Sequence, residues 1–201
     1  MINFKSSFIV YFSLAFIQIA FGKTNSINEV DTVLIQDNIT LGTHAPIGWW
    51  LDKKASESMG VCAMYILESK NFDNSPAIIY PRIASSDYIG EKGVDKQIEE
   101  STKMLKTASK TLMNISENDF KNKADLKFKI RKFMNGPRPN SFEKIAYLVF
   151  KNRVFLAVYS AQNEEDFNKH EKKFTEFLDN ISPYSTNMAS LSGNCLYPVK
   201  K

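Results

Sequence analysis

Apolar and polar residues alternate most regularly over residues 123–131. Ala124, Leu126, Phe128 and Ile130 fall on one face of an extended chain; Lys123, Asp125, Lys127, Lys129 and Arg131 fall on the other. A period of two marks a half-buried β-strand. Two later runs, 142–150 and 154–160, are apolar on both alternating faces and flank Lys151-Asn152-Arg153. They predict a β-hairpin in the centre of a sheet, covered on both sides. Shorter segments at 33–41, 49–51, 61–67 and 77–84 predict further strands. Pro81 removes a backbone donor from the last of these, which suits an edge or a bulge. Polar residues 53–60 read as a connecting loop. Residues 71–76, with Asn71, Asp73, Asn74, Ser75 and Pro76, read as a turn.

Two segments have helical spacing instead. Val94, Ile98, Leu105 and Ala108, with Met104 beside them, predict a helix starting near Asp95, after a loop ending at Gly93. Glu99 and Lys103 stand four apart in the favourable order. Asn163 is an N-cap followed by Glu164, Glu165 and Asp166 in the electropositive first turn. Phe167, His170, Phe174, Phe177 and Ile181 mark the buried face of that second helix, and Pro183 stops it. Gly136-Pro-Arg-Pro139 reads as a turn. The fold class expected is α+β: a predominantly antiparallel sheet with two main helices and packing layers on both sides.

The N-terminus changes the picture of where such a domain works. Lys5 supplies a positive n-region, residues 8–21 an apolar h-region, and Ala20 and Gly22 the small residues of a cleavage site. The expected organisation is a signal peptide over 1–22, an N-terminal leader with a possible first strand over 23–44, one domain over 45–182, and an irregular tail over 183–201. No later segment is apolar enough to span a membrane. The chain has 201 residues and a net charge of +4. Cleavage removes one lysine and no acid, which leaves a mildly basic product with no strong pull toward polyanions. Export argues against nucleic acid as a partner. Asn38, Asn114 and Asn180 head glycosylation sequons that matter only in a eukaryotic source. The abundance of Lys, Asn, Ile and Phe suits an AT-rich bacterial genome.

Cys62 and Cys195 are the only cysteines. An even count in an exported chain favours a bond between them. It would close a loop of more than 100 residues and staple the tail to the strand holding Cys62, with stabilisation of roughly 4–5 kcal/mol. The alternative is a buried thiol at Cys62 and a free thiol on the tail. Two cysteines and two histidines, scattered, have no metal-ligand spacing.

Pro46-Ile-Gly-Trp-Trp-Leu-Asp52, Ser75-Pro76 leading into Ile78-Ile-Tyr-Pro81, Val158-Tyr-Ser-Ala161, then Glu164-Glu-Asp-Phe167 and Phe174 occur in an order that resembles small exported bacterial proteins of unknown function, related in fold to the PsbP and Mog1 families. The resemblance covers residues 45–182. It implies an α/β sandwich that binds proteins or assists assemblies. It supplies no catalytic residue, and the Cys195 tail lies outside it.

Candidate sites follow from residue type. Trp49 and Trp50 are adjacent, so a strand turns them to opposite faces, one to the core and the other to a binding surface. Lys123, Lys127, Lys129 and Arg131 form a ladder that suits phosphate, lipid head groups or an acidic protein patch. An ordinary solvated face is the plainer reading of that ladder. His170 is conceivable as a general base, but no patterned nucleophile accompanies either histidine. Asp52, Glu57 and Glu68 are acids whose separation the sequence does not give. The function expected is therefore an exported, non-enzymatic binding or accessory protein with a protein partner in the envelope or secreted fraction. It needs no cofactor, contacts no nucleic acid and makes no stable membrane insertion after cleavage. The alternatives are a small cell-envelope hydrolase and a carrier of a small lipid or amphiphile.

Overall fold

The computed structural model describes residues 30–36, 39–136, 141–184 and 195–197. The expected signal, the sequon at Asn38 and most of the turn at 136–139 lie outside the described residues. So does most of the leader and of the tail.

The first expected strand is a hairpin. Strands β1 (Thr32–Gln36) and β2 (Ile39–Thr43) pair antiparallel, from Thr32 against Thr43 to Gln36 against Ile39. Then come β3 (Trp49–Leu51), helix α1 (Lys53–Met59), β4 (Tyr65–Leu67) and β5 (Ala77–Ile83). Helix α2 (Gly90–Ala108) leads to β6 (Met113–Ser116), β7 (Phe120–Lys121) and β8 (Lys127–Met134). The central hairpin is β9 (Phe142–Phe150) and β10 (Arg153–Ala161), followed by α3 (Glu164–Asp179), β11 (Ser182–Pro183) and β12 (Cys195–Leu196). The main sheet has the order β3-β4-β5-β10-β9-β8-β6, with β7 also on β8; a smaller sheet has the order β11-β2-β1-β12. Every strand pairing among the described residues is antiparallel. The fold is α+β.

The doubly apolar hairpin is central because both its faces are covered. On one side Phe128, Phe155, Tyr159, Phe167, Phe174 and Phe177 pack between the main sheet and α3, and Leu34, Ile39 and Leu41 bring the small sheet into the same cluster. On the other side Val94, Ile98 and Leu105 of α2 meet Ile145, Tyr147, Val154, Leu156 and Val158. Ala55 of α1 packs beside them on Met64 and Ile66. The turn between β9 and β10 is Lys151-Asn152 alone, both with positive φ (47° and 64°), the backbone that a two-residue hairpin requires. β4 pairs with β5 only at Ile78 and Ile79. Pro81 therefore stands on a stretch of β5 paired on one side, where a missing donor is tolerated.

Several expectations are corrected. Residues 53–59 are a helix: the Asp52 side chain accepts from Ala55 N–H, and Gly60, at φ +65°, ends it. Its polar sequence hides it, since only Ala55 and Ser56 are buried. Cys62 lies in the segment after α1, and β4 begins at Tyr65. α2 starts at Gly90, five residues early, so Gly93 lies inside its first turn, where a Cβ would come within 2.6 Å of the Tyr88 backbone and only glycine fits. The strand expected over 123–131 begins at Lys127 and runs on to Met134. Asn122 reshapes its start: its Nδ2 donates to the carbonyls of Leu178 and Ile181, and its Oδ1 accepts from Ala124 and Leu126 N–H. The tail is not wholly irregular, because β11 pairs with β2 and β12 with β1.

Candidate functional site

The lysine–arginine ladder is not one surface. Lys123 stands before β8 and pairs with Asp179 at 3.4 Å, while Asp125, at φ +61°, pairs with Lys121 at 2.8 Å. Lys127, Lys129 and Arg131 do alternate on one face of β8, but α2 partly covers that face. Lys129 reaches Asp95 of α2 at 3.0 Å, and Arg131 donates to Ser116 on β6. The sequence missed this because alternation states which residues share a face, not what lies above it.

Trp49 is buried at 5% exposure and meets His170 edge-on at 6.0 Å, whereas Trp50 is 42% exposed. Burial holds the His170 imidazole below its ordinary pKa, and Lys169 adds to this against the opposing pull of Asp166. His44 Nδ1 lies 3.2 Å from Asp31 Oδ2. Cys62 and Cys195 are bonded, with 5.3 Å between their Cα atoms.

A groove of about 580 Å³ lies on the α1–α2 side of the main sheet. Its floor is made by the strand residues whose side chains point away from α3: Ile78, Tyr80 and Arg82 on β5, Glu143 on β9 and Ser160 on β10. One wall comes from α1 and the loops around it, with Met59, Val61 and Phe72; the other includes Leu105 of α2. Local chemistry fixes these walls. Ser56 Oγ donates to Asp52 C=O and accepts from Met64 N–H, which ties α1 to the chain entering β4. Asn71 and Asn74 exchange side-chain to backbone bonds of 2.9 and 3.1 Å around Phe72. Gln162 donates to Ser75 C=O and closes the end of the groove.

The floor carries opposite charges. Burial raises the Tyr80 phenol, Glu143 raises it further, and Arg82 opposes both. Tyr80 is therefore a neutral hydroxyl at physiological pH. Beneath α2, burial pushes Tyr147 up to about 12, with Ser101, Arg82 and Arg131 favouring the phenolate and Glu143 disfavouring it. Ser160 Oγ stands 3.5 Å from Glu143 Oε1, at the outer limit of a hydrogen bond. Neither histidine lines the groove. Such a surface grips an apolar group while its polar floor orients one or two hydrogen-bonding groups.

The sequence named none of these groove residues as a site, although Ser75, Pro76, Ile78, Tyr80, Ser160 and Ala161 fall within the motifs that carry the resemblance. Periodicity marks the floor only through the alternation Ile78-Tyr80-Arg82, opposite in phase to Ala77 and Ile79. A second hollow of about 740 Å³ lies beside Trp50, between the 46–49 turn and Tyr197. Among the described residues no group of three or more His, Cys, Asp or Glu is placed to hold a metal ion, and no helix is long and apolar enough to cross a membrane.

No protein family profile matches the chain, and no curated protein does. Among solved structures, the chain is similar to cyanobacterial PsbP (CyanoP) from Synechocystis sp. PCC 6803. The sequence identity is 11% and the TM-score 0.46, over 82% of this chain and 99% of that one.

Proposed function

We propose that the protein is exported and acts as a non-enzymatic binding protein, seating a segment of a protein partner in the groove between α1 and α2. The observation that carries this reading is the groove's construction. Met59, 53% exposed, stands at its rim, Phe72 and Val61 line its wall, and Arg82 and Glu143 set opposite charges across its floor. Methionine and aromatic side chains suit binding surfaces that adapt to a partner's apolar anchor. A floor with both a donor and an acceptor suits the polar backbone beside that anchor. The Cys62–Cys195 bond supports export, since such bonds persist in oxidising compartments.

The test is site-specific. A photo-crosslinking side chain at Phe72, or at Met59, should trap one adduct of defined mass in cells of the source organism. The same group at Lys92, exposed on α2, should trap none. Equal labelling at all three positions would remove the groove as the partner site. Export is checked separately: the intact mass of the mature protein should start at Lys23, and a mature chain beginning at Met1 would refute it.

The apolar walls favour one second reading, a carrier of a small amphiphile. Native mass spectrometry of the purified protein decides between them, because a carrier retains a lipid-sized adduct that a Tyr80→Trp change, which fills the groove, displaces.

A further inference from the structure

We propose that the hollow beside Trp50 is a binding site for neutral saccharides, separate from the groove. The two concavities share no lining residue.

The first observation is rigidity. Four hydrogen bonds hold the turn that bounds the hollow. Asp31 Oδ2 accepts from Ala45 N–H and Glu176 Oε1 from Ile47 N–H, both at 2.7 Å. Pro46 C=O accepts from Trp49 N–H at 3.0 Å, and Gly48 C=O accepts from Glu68 N–H at 2.9 Å. Gly48 takes φ +83°, the conformation needed at the third position of such a turn. The opposite wall is equally fixed. Tyr197 donates its hydroxyl to Cys62 C=O at 2.9 Å and stands two residues from the bonded Cys195. The Lys53 ammonium lies 4.8 Å from the centre of the Tyr197 ring. A ligand entering here does not have to order the site.

The second observation is the chemistry that this rigid frame presents. Trp50 offers a half-exposed indole, Lys53 a donor positioned over an aromatic ring, and Glu68 an exposed acceptor. A wholly apolar ligand would strip water from Lys53 and Glu68 with nothing in exchange. An anion such as phosphate would meet Lys53 but also Glu68 and Asp31. A neutral pyranose satisfies all three groups. Its C–H face is apolar and lies flat on an indole, and its hydroxyls both donate and accept. Ile47, 81% exposed at the tip of the turn, extends the apolar shelf beyond one ring, which favours an oligosaccharide over a single sugar.

The protein carries its own reporter. It has two tryptophans, and Trp49 is buried, so a ligand reaching the surface perturbs Trp50. Hexamers of β-1,4-linked N-acetylglucosamine and of β-1,4-linked glucose are titrated into the oxidised protein up to about 10 mM, a range that captures Kd values near 1 mM. At least one should give a saturable change in tryptophan emission. By calorimetry, Trp50→Ala should weaken that binding at least about tenfold, Trp50→Phe much less, and Glu68→Gln several-fold. Thermal unfolding of each variant separates loss of the site from loss of the fold, and Glu68→Gln, at an exposed position, keeps the test available if Trp50→Ala does not fold. Three results would overturn the proposal: no response to either hexamer, binding that survives Trp50→Ala unchanged, or a blue shift with phosphatidylglycerol vesicles and none with saccharide.

Discussion

Glu176 shows how one side chain sets a surface. Burial alone would raise its carboxyl, but the Ile47 N–H, the Lys173 ammonium and more distant Lys123 together hold it below its ordinary value of 4.5. A carboxyl depressed by folding contributes stability that is complete above the ordinary carboxylate range and lost as pH falls through its folded pKa. Urea unfolding midpoints should therefore drop between pH 5 and pH 3, and Glu176→Gln should flatten that drop while loosening the 46–49 turn. Identical pH profiles for the two proteins would mean that this bond carries no stability. Nothing in the sequence joins Glu176 to Ile47, because the contact spans 129 positions. Trp49 and Trp50 are a contrast. That the two face opposite sides is legible from their adjacency; that His170 is the partner of the buried one is not.

At the scale of elements, legibility follows how much of an element's register its own residues set. The β9–β10 hairpin and α3 are plain because their apolar residues repeat over nine and sixteen positions. α1 escapes because it is seven residues long and its signal is a cap, Asp52, with no apolar stripe. β12 escapes for a different reason: two residues carry no period, and their pairing to β1 is held by a covalent bond 133 positions long. Replacing Cys195 with Ser should lower stability by a few kcal/mol, against a chain-entropy expectation of roughly 4–5 kcal/mol. It should also expose the edge of β1 and open the 184–201 segment to proteolysis. Labelling of the unfolded, non-reduced wild-type chain should find no reactive thiol; two labelled thiols per chain would mean that the bond is absent.

Among the described residues the small sheet and the main sheet share a core cluster. Leu34, Ile39 and Leu41 of the small sheet lie in the same cluster as Phe155, Tyr159 and Phe177 of the main layers. Thr43 Oγ1 and the Tyr65 hydroxyl join the sheets through a buried bond of 2.8 Å. The two should therefore unfold together. Leu41→Ala, in the small sheet, should cost about 2–5 kcal/mol and shift the transition seen by tryptophan emission, which comes from Trp49 and Trp50 of β3 in the main sheet, by the same amount as the transition seen by far-ultraviolet circular dichroism. A tryptophan transition that stays in place while the other moves would show two independent units.

The sequence alone determined the α+β class, the central hairpin, the two main helices and the buried faces they share, since periodicity is a local property that each segment carries within itself. Its even cysteine count in a chain with an export-like N-terminus pointed to the Cys62–Cys195 bond. Only the tertiary structure decided that Asp95 of α2 meets Lys129, Ser116 of β6 meets Arg131 and Asp179 of α3 meets Lys123, and so divided the expected basic ladder among separate partners. Only it brought Met59, Phe72, Arg82 and Glu143 around one groove, and Trp50, Lys53 and Tyr197 around one hollow. Most of these are meetings between segments distant in the chain, set by how layers stack. No period within a segment encodes which segment will cover it.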